Sequence, residues 1–265
     1  MDDNLLYGAK HSDIQTLRSR FRIVMRYIFY CYYFMRENKI SYSRKEWAKL
    51  SKDNKFEDYL REKLVDDYLE TEYYKDQFVG ANQSHQNMHE VFFSKENEET
   101  YTDANGQKGK NKNDIYVLVT NLKRNGRNSM EYDDSERLGK MKNSRKAWFQ
   151  IECKILDNSS FQHDAYIEDI HKFLNRTYED TEAMPFGGQI AFIKKGEITD
   201  SVNKINRKIV EKSEIGTIQN LMYFEMALLL PFPFQFSFLS IHQHRLGHKF
   251  DIYHLLLDYR SIIKE

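Results

Sequence analysis

The chain has 265 residues, is 40% hydrophobic and 14% aromatic, and carries forty basic against forty acidic residues, a formal net charge of zero. That length suits one large domain, or a medium one with an appendage, and the aromatic share excludes a disordered chain. Zero net charge excludes capture of a polyanion by the field of the whole molecule, so an anionic partner must be held by local patches.

The first predicted element is a helix over residues 14–49, where Leu17, Phe21, Val24, Met25, Ile28 and Phe29 recur at helical spacing without Gly or Pro. Between Arg18 and Lys49 it carries nine Lys or Arg against two acids, a basic amphipathic face for nucleic acid, for a partner or for its own domain. Only nine uncharged residues separate Arg26 from Arg36, too few to span a bilayer. The acidic start, Asp2-Asp3, is unlike a signal peptide. Two isolated cysteines, Cys31 and Cys153, supply neither a disulfide framework nor metal-type spacing. The expectation is a soluble cytoplasmic protein with no membrane association.

A second helix is expected over 56–74, striped by Leu60, Leu64, Val65, Tyr68 and Leu69. A polar break at 80–86 follows, then a short strand at 89–93 and a turn region at 95–113 around Ala104-Asn105-Gly106. Residues 115–119 read as a buried strand and 121–145 as a long polar loop, a length that points to function or mobility. A strand at 147–156, a helix at 165–176, a turn at Gly187-Gly188 and a strand at 189–193 come next. A helix at 201–212, a strand at 232–242, a turn near Gly247 and a strand or helix at 250–257 complete the chain.

Two of the predicted strands carry charge where apolar residues surround it. Asp114 leads Ile115-Tyr116-Val117, and Glu152 and Lys154 interrupt Phe149-Gln-Ile-Glu-Cys-Lys-Ile155. Residues two apart on a strand share a face, so Glu152 and Lys154 point the same way. Charge inside such a strand is costly unless it lines a site. With Asp114 on a neighbouring strand, two carboxylates converge on a hard cation such as Mg²⁺, and the ammonium can serve a water or a developing phosphorane. The plain alternative is a Glu152–Lys154 surface ion pair on an inert strand.

The pattern Asn-Asp-Ile followed by Ile-Glu-Cys-Lys resembles the D…ExK signature of PD-(D/E)xK nucleases, the restriction-endonuclease-like superfamily, in a bacterial defence-type branch. The resemblance covers roughly residues 56–259. It takes in Phe-Glu57-Asp58-Tyr-Leu as the acidic core helix, with Glu57 the matching acid and Glu62 a second candidate. It also takes in Tyr166 to Phe173, Gly188-Gln189-Ile-Ala-Phe, and the closing Phe-Leu-Ser240-Ile-His242 and Ile252 to Asp258. No Pro precedes Asp114, and Ala191 stands where a second Gly is common.

The resemblance implies an α/β fold: a restriction-endonuclease-like core with a mixed central sheet flanked by helices over 55–265, plus a helical N-terminal extension over 1–54. It implies a Mg²⁺- or Mn²⁺-dependent endonuclease acting on DNA. Asp114, Glu152 and the carbonyl of Cys153 would hold the metal, Lys154 would assist the water, and Glu57 would join the shell. It further implies phosphate contacts from Gln189, Ser240 and His242, and a role in anti-phage or restriction defence.

Two further groups bear on substrate. From Lys108 to Lys146 there are eleven Lys or Arg against five acids, with Lys108, Lys110 and Lys112 leading towards Asp114, a flexible basic loop suited to phosphate. His242, His244, His248 and His254 cluster near the C-terminus without a completing Cys or acid, and read as polar histidines on a partly exposed strand and turn. No ATPase or recognition module is evident, so a homo-oligomer or a protein partner is expected to target or activate the chain. The alternatives are a catalytically silent nucleic-acid-binding or scaffold subunit, and an interaction module using residues 1–54 as its arm.

Overall fold

Helix α1, His11–Glu37, turns Phe21, Val24, Met25 and Ile28 onto a sheet, where Phe21 meets Phe149, Phe186 and Tyr253 at ring-centroid distances of 5.1, 5.4 and 5.7 Å. The structure, a computed structural model, describes residues 11–50, 55–82, 88–119, 147–178, 184–212, 214–223 and 236–265. The long helix expected over 14–49 ends early. Lys39 adopts φ 51°, Lys39 N–H donates to Arg36 and Ile40 N–H to Met35, both at 3.0 Å. That pair of bonds is a Schellman termination made without glycine. Strand β1, Tyr42–Ser43, and helix α2, Arg44–Leu50, follow.

The expected second helix is likewise divided. Helix α3, Phe56–Leu64, passes through a π-helical turn, Val65–Leu69, before α4, Glu72–Asn82. The hydroxyl of Tyr27 lies 3.2 and 3.1 Å from the carbonyls of Tyr68 and Leu69, meeting acceptors at the end of the widened turn.

The remaining strands are β2, Val91–Thr102; β3, Lys108–Val119; β4, Ala147–Leu156; β5, Thr177–Tyr178; β6, Phe186–Ile193; β7, Thr217–Tyr223; β8, Ser237–Gln243; β9, Lys249–Asp258; and β10, Ile263–Lys264. The remaining helices are α5, Ser160–Asn175, and α6, Ile198–Glu211. Among the described residues the strands form a mixed eight-stranded sheet in the order β5-β2-β3-β4-β6-β9-β8-β7, with β1 and β10 pairing separately. The chain is therefore α/β, as expected. Residues β2, β3 and β4 form an antiparallel meander, and α5 then crosses to β6, which is parallel to β4.

Strand alternation divides the core into two. Ile151, Cys153, Ile190, Phe192, Leu255 and Leu257 pack with α1 and α3 on one face, while Ala191, Ile193, Ile252 and Leu256 pack with α5 and α6 on the other. The helices assigned to an N-terminal extension thus share the first core with the sheet, and residue 54 separates no two cores. Arg18 turns back onto this domain, pairing with Asp251 at 3.2 Å.

Two expected turns are strands. The polar stretch at 95–113 continues the β2–β3 ladder from Val91–Val119 to Thr102–Lys108, and only residues 103–107 turn, with Gly106 at φ 77°. Gly187 and Gly188 lie within β6, where they permit close packing. A Cβ on Gly188 would fall 2.9 Å from Ile151 and 3.0 Å from Phe21. The segment at 89–93 opens as a short 3-10 turn, Met88–Glu90. Residues 250–257 are strand, while the loop at 121–145 and the start of the 232–242 strand lie outside the described residues.

Candidate functional site

Backbone pairing between β3 and β4 ends at Ile115–Ile151, and β3 continues with β2 alone. Beyond that fork the N–H groups on the vacated edge of β4 need acceptors, because an unpaired buried amide is costly. Two carboxylates supply them. Asp114 Oδ2 accepts Cys153 N–H at 2.7 Å, and Glu57 Oε2 accepts Ile155 N–H at 2.8 Å. Glu57, rather than Glu62, is the α3 acid that reaches the fork. It does so from the first turn of α3, where Asp58 Oδ2 accepts the Lys55 N–H at 3.3 Å.

The alternation of β4 sets Glu152 and Lys154 on one face, opposite Gln189 and Ala191 of β6. Lys154 Nζ lies 3.3 Å from Glu57 Oε1, 3.1 Å from the Cys153 carbonyl, 3.0 Å from Asp169 Oδ2 and 4.0 Å from Asp114 Oδ2. The first two are hydrogen bonds donated by the ammonium, and Asp169 adds an ion pair. Burial alone would lower its pKa, but Asp169, Glu57, Asp114 and Glu152 together hold it above the ordinary lysine value.

Glu152 is 4% exposed. Burial first, then the charges of Asp114 and Asp169, push its carboxyl well above the ordinary value. Glu57 is also raised, chiefly by burial, against the opposing pull of Lys154 and the Ile155 amide. The Cys153 thiol faces the buried core and its pKa is raised well above normal by burial, so only its peptide group belongs to the site.

Three participants, Asp169, Lys172 and Arg61, were not singled out from sequence. Asp169, on the apolar face of α5 between Tyr166 and Phe173, is 1% exposed and bonds Lys172 at 2.6 Å. Arg61, one turn beyond Glu57, is 2% exposed; it lies 3.2 Å from Asp58 and bonds Asp114 Oδ1 through Nη1. The detectable signal for Asp169 was a charge at stripe spacing with Tyr166, Ile170 and Phe173.

The donor set is oxygen-only, which suits Mg²⁺ or Mn²⁺. Its arrangement does not fit a ready-made site. No group of three or more His, Cys, Asp and Glu among the described residues is set to hold a metal, and both Asp114 oxygens are already engaged. The centre is closed around its own cations, Arg61, Lys154 and Lys172, against four acids, Glu57, Asp114, Glu152 and Asp169.

Gln189, Ser240 and His242, expected to touch phosphate, are fully buried. Gln189 Nε2 donates to the Tyr166 carbonyl at 2.8 Å. A polar chain runs from Tyr166 Oη to His254 Nδ1 at 2.8 Å, from His254 Nε2 to Ser240 Oγ at 2.8 Å, and on to His242 Nε2 at 2.7 Å. The resemblance implied phosphate contacts, but Ser240 and His242 are engaged in this internal chain and Gln189 donates to the backbone of α5. His244 and His248 are buried too, their rings stacked at 4.4 Å.

Lys108 and Lys110 are exposed on β3 rather than on a loop, and they share the strand alternation of Asp114. Lys110 is four residues from Asp114, about 14 Å along the strand. The side chain of Lys112 lies outside the described residues, as do residues 120–146 of the basic loop. No helix among the described residues is long and apolar enough to cross a membrane. Comparison with protein-family models, with curated proteins and with solved structures returned no match.

Proposed function

We propose that the chain is a metal-dependent nuclease that hydrolyses DNA phosphodiesters, with a restriction-endonuclease-like core. The observation that carries this reading is the convergence of Asp114, Glu152, Lys154 and Glu57 from β3, β4 and α3 at the fork of the sheet. The order of an acidic helix, an antiparallel meander, a crossing helix and a parallel strand supports it as well.

Asp114, Glu152 and the Cys153 carbonyl would hold Mg²⁺ or Mn²⁺ once the cations that now engage Asp114 and the carbonyl give way. A cation held there would polarise the scissile phosphate and acidify a coordinated water. Lys154, fixed by Asp169 and Glu57, orients that water or stabilises charge on the phosphoryl group. Exposed Lys108 and Lys110, in line with Asp114, supply backbone neutralisation for a polyanionic substrate. The activity belongs to a cytoplasmic bacterial defence or restriction setting, with a homo-oligomeric or protein partner directing it.

One observation favours a second reading. Lys154 already donates to Glu57 and to the Cys153 carbonyl, and Asp114 accepts from Arg61 and the Cys153 amide, a self-engaged network that suits a catalytically silent nucleic-acid-binding or scaffold subunit. Plasmid, linear and single-stranded DNA and RNA, incubated with wild type and Lys154→Ala in Mg²⁺, Mn²⁺ or EDTA, separate the two. The nuclease reading expects metal-dependent DNA cleavage by the wild type alone. Cleavage that survives Lys154→Ala contradicts the site.

A further inference from the structure

The closed state of the fork has a specific geometry. Asp114 uses its two oxygens differently: Oδ2 is fixed by a backbone amide of β4, whereas Oδ1 is held by a side chain, Arg61. Only the second partner can leave without moving the sheet. Arg61 also has a second acceptor on its own helix, Asp58, three residues earlier and 3.2 Å away. Asp58 is 24% exposed against 15% for Asp114, so it is the wetter of the two seats.

A guanidinium and a divalent cation cannot share one buried carboxylate oxygen, because like charges at contact distance repel strongly where water is scarce. We infer that Arg61 is the internal counter-cation of Asp114, and that it and a divalent cation exclude one another at Oδ1. Arg61 retreats to Asp58 when the cation binds. This inference rests on Asp114 being a cation ligand, as the proposed function holds. It accounts for a donor set of the right chemistry that is not arranged to receive a metal: the position is kept neutral by the protein's own charge until a competing cation arrives.

The test is calorimetric titration of Mg²⁺ and of Mn²⁺ into the full chain, with no substrate and no activity measurement. Arg61→Met keeps the aliphatic stem and removes the competitor, and is expected to tighten binding roughly tenfold or more. Asp58→Asn removes the retreat and is expected to weaken binding severalfold. Asp114→Asn is expected to abolish it, alone or combined with Arg61→Met. Asp58 is partly exposed, so its variant keeps the fold. If Arg61→Met does not fold, unchanged affinity in Asp58→Asn overturns the inference by itself. Unchanged or weaker binding by a folded Arg61→Met, with Asp114→Asn still abolishing it, overturns the role of Arg61 and leaves the cation site standing. Absence of binding in both wild type and Arg61→Met overturns Asp114 as a ligand, and the inference with it.

Discussion

Asp169 Oδ2 lies 3.0 Å from the Lys154 ammonium, although one residue belongs to the helix covering the sheet and the other to strand β4. Asp169 is 1% exposed, and its other oxygen binds Lys172 at 2.6 Å. One carboxylate therefore fixes two lysines and ties α5 to the fork. Removing one partner of a buried ion pair leaves the others uncompensated.

Asp169→Asn is accordingly expected to cost about 2–3 kcal/mol, below the full cost of breaking a buried pair because Lys154 and Lys172 keep some solvent. Lys154→Ala in the same chain should recover part of that loss, giving a less than additive pair. Urea denaturation of the two single variants and the double variant measures it. Strict additivity would mean that the contact carries no energy.

The strand that holds Glu152 and Lys154 was legible because its apolar residues alternate cleanly, and its bounds match the expected 147–156. Asp114 was legible as the charge leading the continuous apolar run 115–119, although β3 extends back to Lys108 and places it inside the strand. Asp169 was not, since an acid in Tyr-Ile-Glu-Asp-Ile reads as solvent-facing until the covering sheet is known. The end of α1 escaped because Lys39, not a glycine, takes the left-handed position. The outer β2–β3 hairpin escaped because its residues are polar on both strands, and polarity without alternation reads as loop. Ser240 and His242 were assigned to phosphate by the resemblance; the fold instead joins them to each other and to His254, which Tyr166 of α5 reaches from far along the chain.

Burial holds His242 down to about 4, and burial followed by the charge of His242 lowers His254 well below the ordinary value. Both folded values lie below the unfolded one, so the stability they contribute is fully present above pH 6.5 and is lost as pH falls through the folded values. For His242 the loss approaches about 3 kcal/mol by pH 4. Melting temperatures between pH 7.5 and 4.5 should fall steeply for wild type and less steeply for His242→Gln. An unaltered acid limb in the variant would show that another group drives the loss.

Glu152 has the opposite sign. Its folded pKa is raised, so its contribution is fully present below the unfolded value and disappears as pH rises through the folded one. Glu152→Gln should therefore raise the melting temperature at neutral pH and leave it unchanged near pH 4, while removing metal-dependent cleavage. Lower stability of Glu152→Gln at neutral pH would mean that the carboxylate is held by interactions stronger than its burial.

Gly188 illustrates packing rather than turn chemistry. Gly188→Ala drives a methyl group against Ile151 at 2.9 Å, Phe21 at 3.0 Å and Met25 at 3.2 Å, with an expected cost of about 1–3 kcal/mol. Gly80→Ala, in helix α4 with nothing within 4 Å, should instead stabilise by about 0.5–1 kcal/mol. Denaturant midpoints compare the two directly. A neutral Gly188→Ala would indicate that α1 can withdraw from the sheet at this point.

The fork of the sheet is proposed as a divalent-cation centre built on Asp114 and Glu152. Crystals grown with Mn²⁺ and measured for anomalous scattering test it most directly. The predicted result is a single strong peak about 2.1–2.4 Å from a carboxylate oxygen of each residue, with Arg61 moved from Asp114 onto Asp58. A fork without an anomalous peak at saturating Mn²⁺, with Arg61 still bound to Asp114, would contradict it.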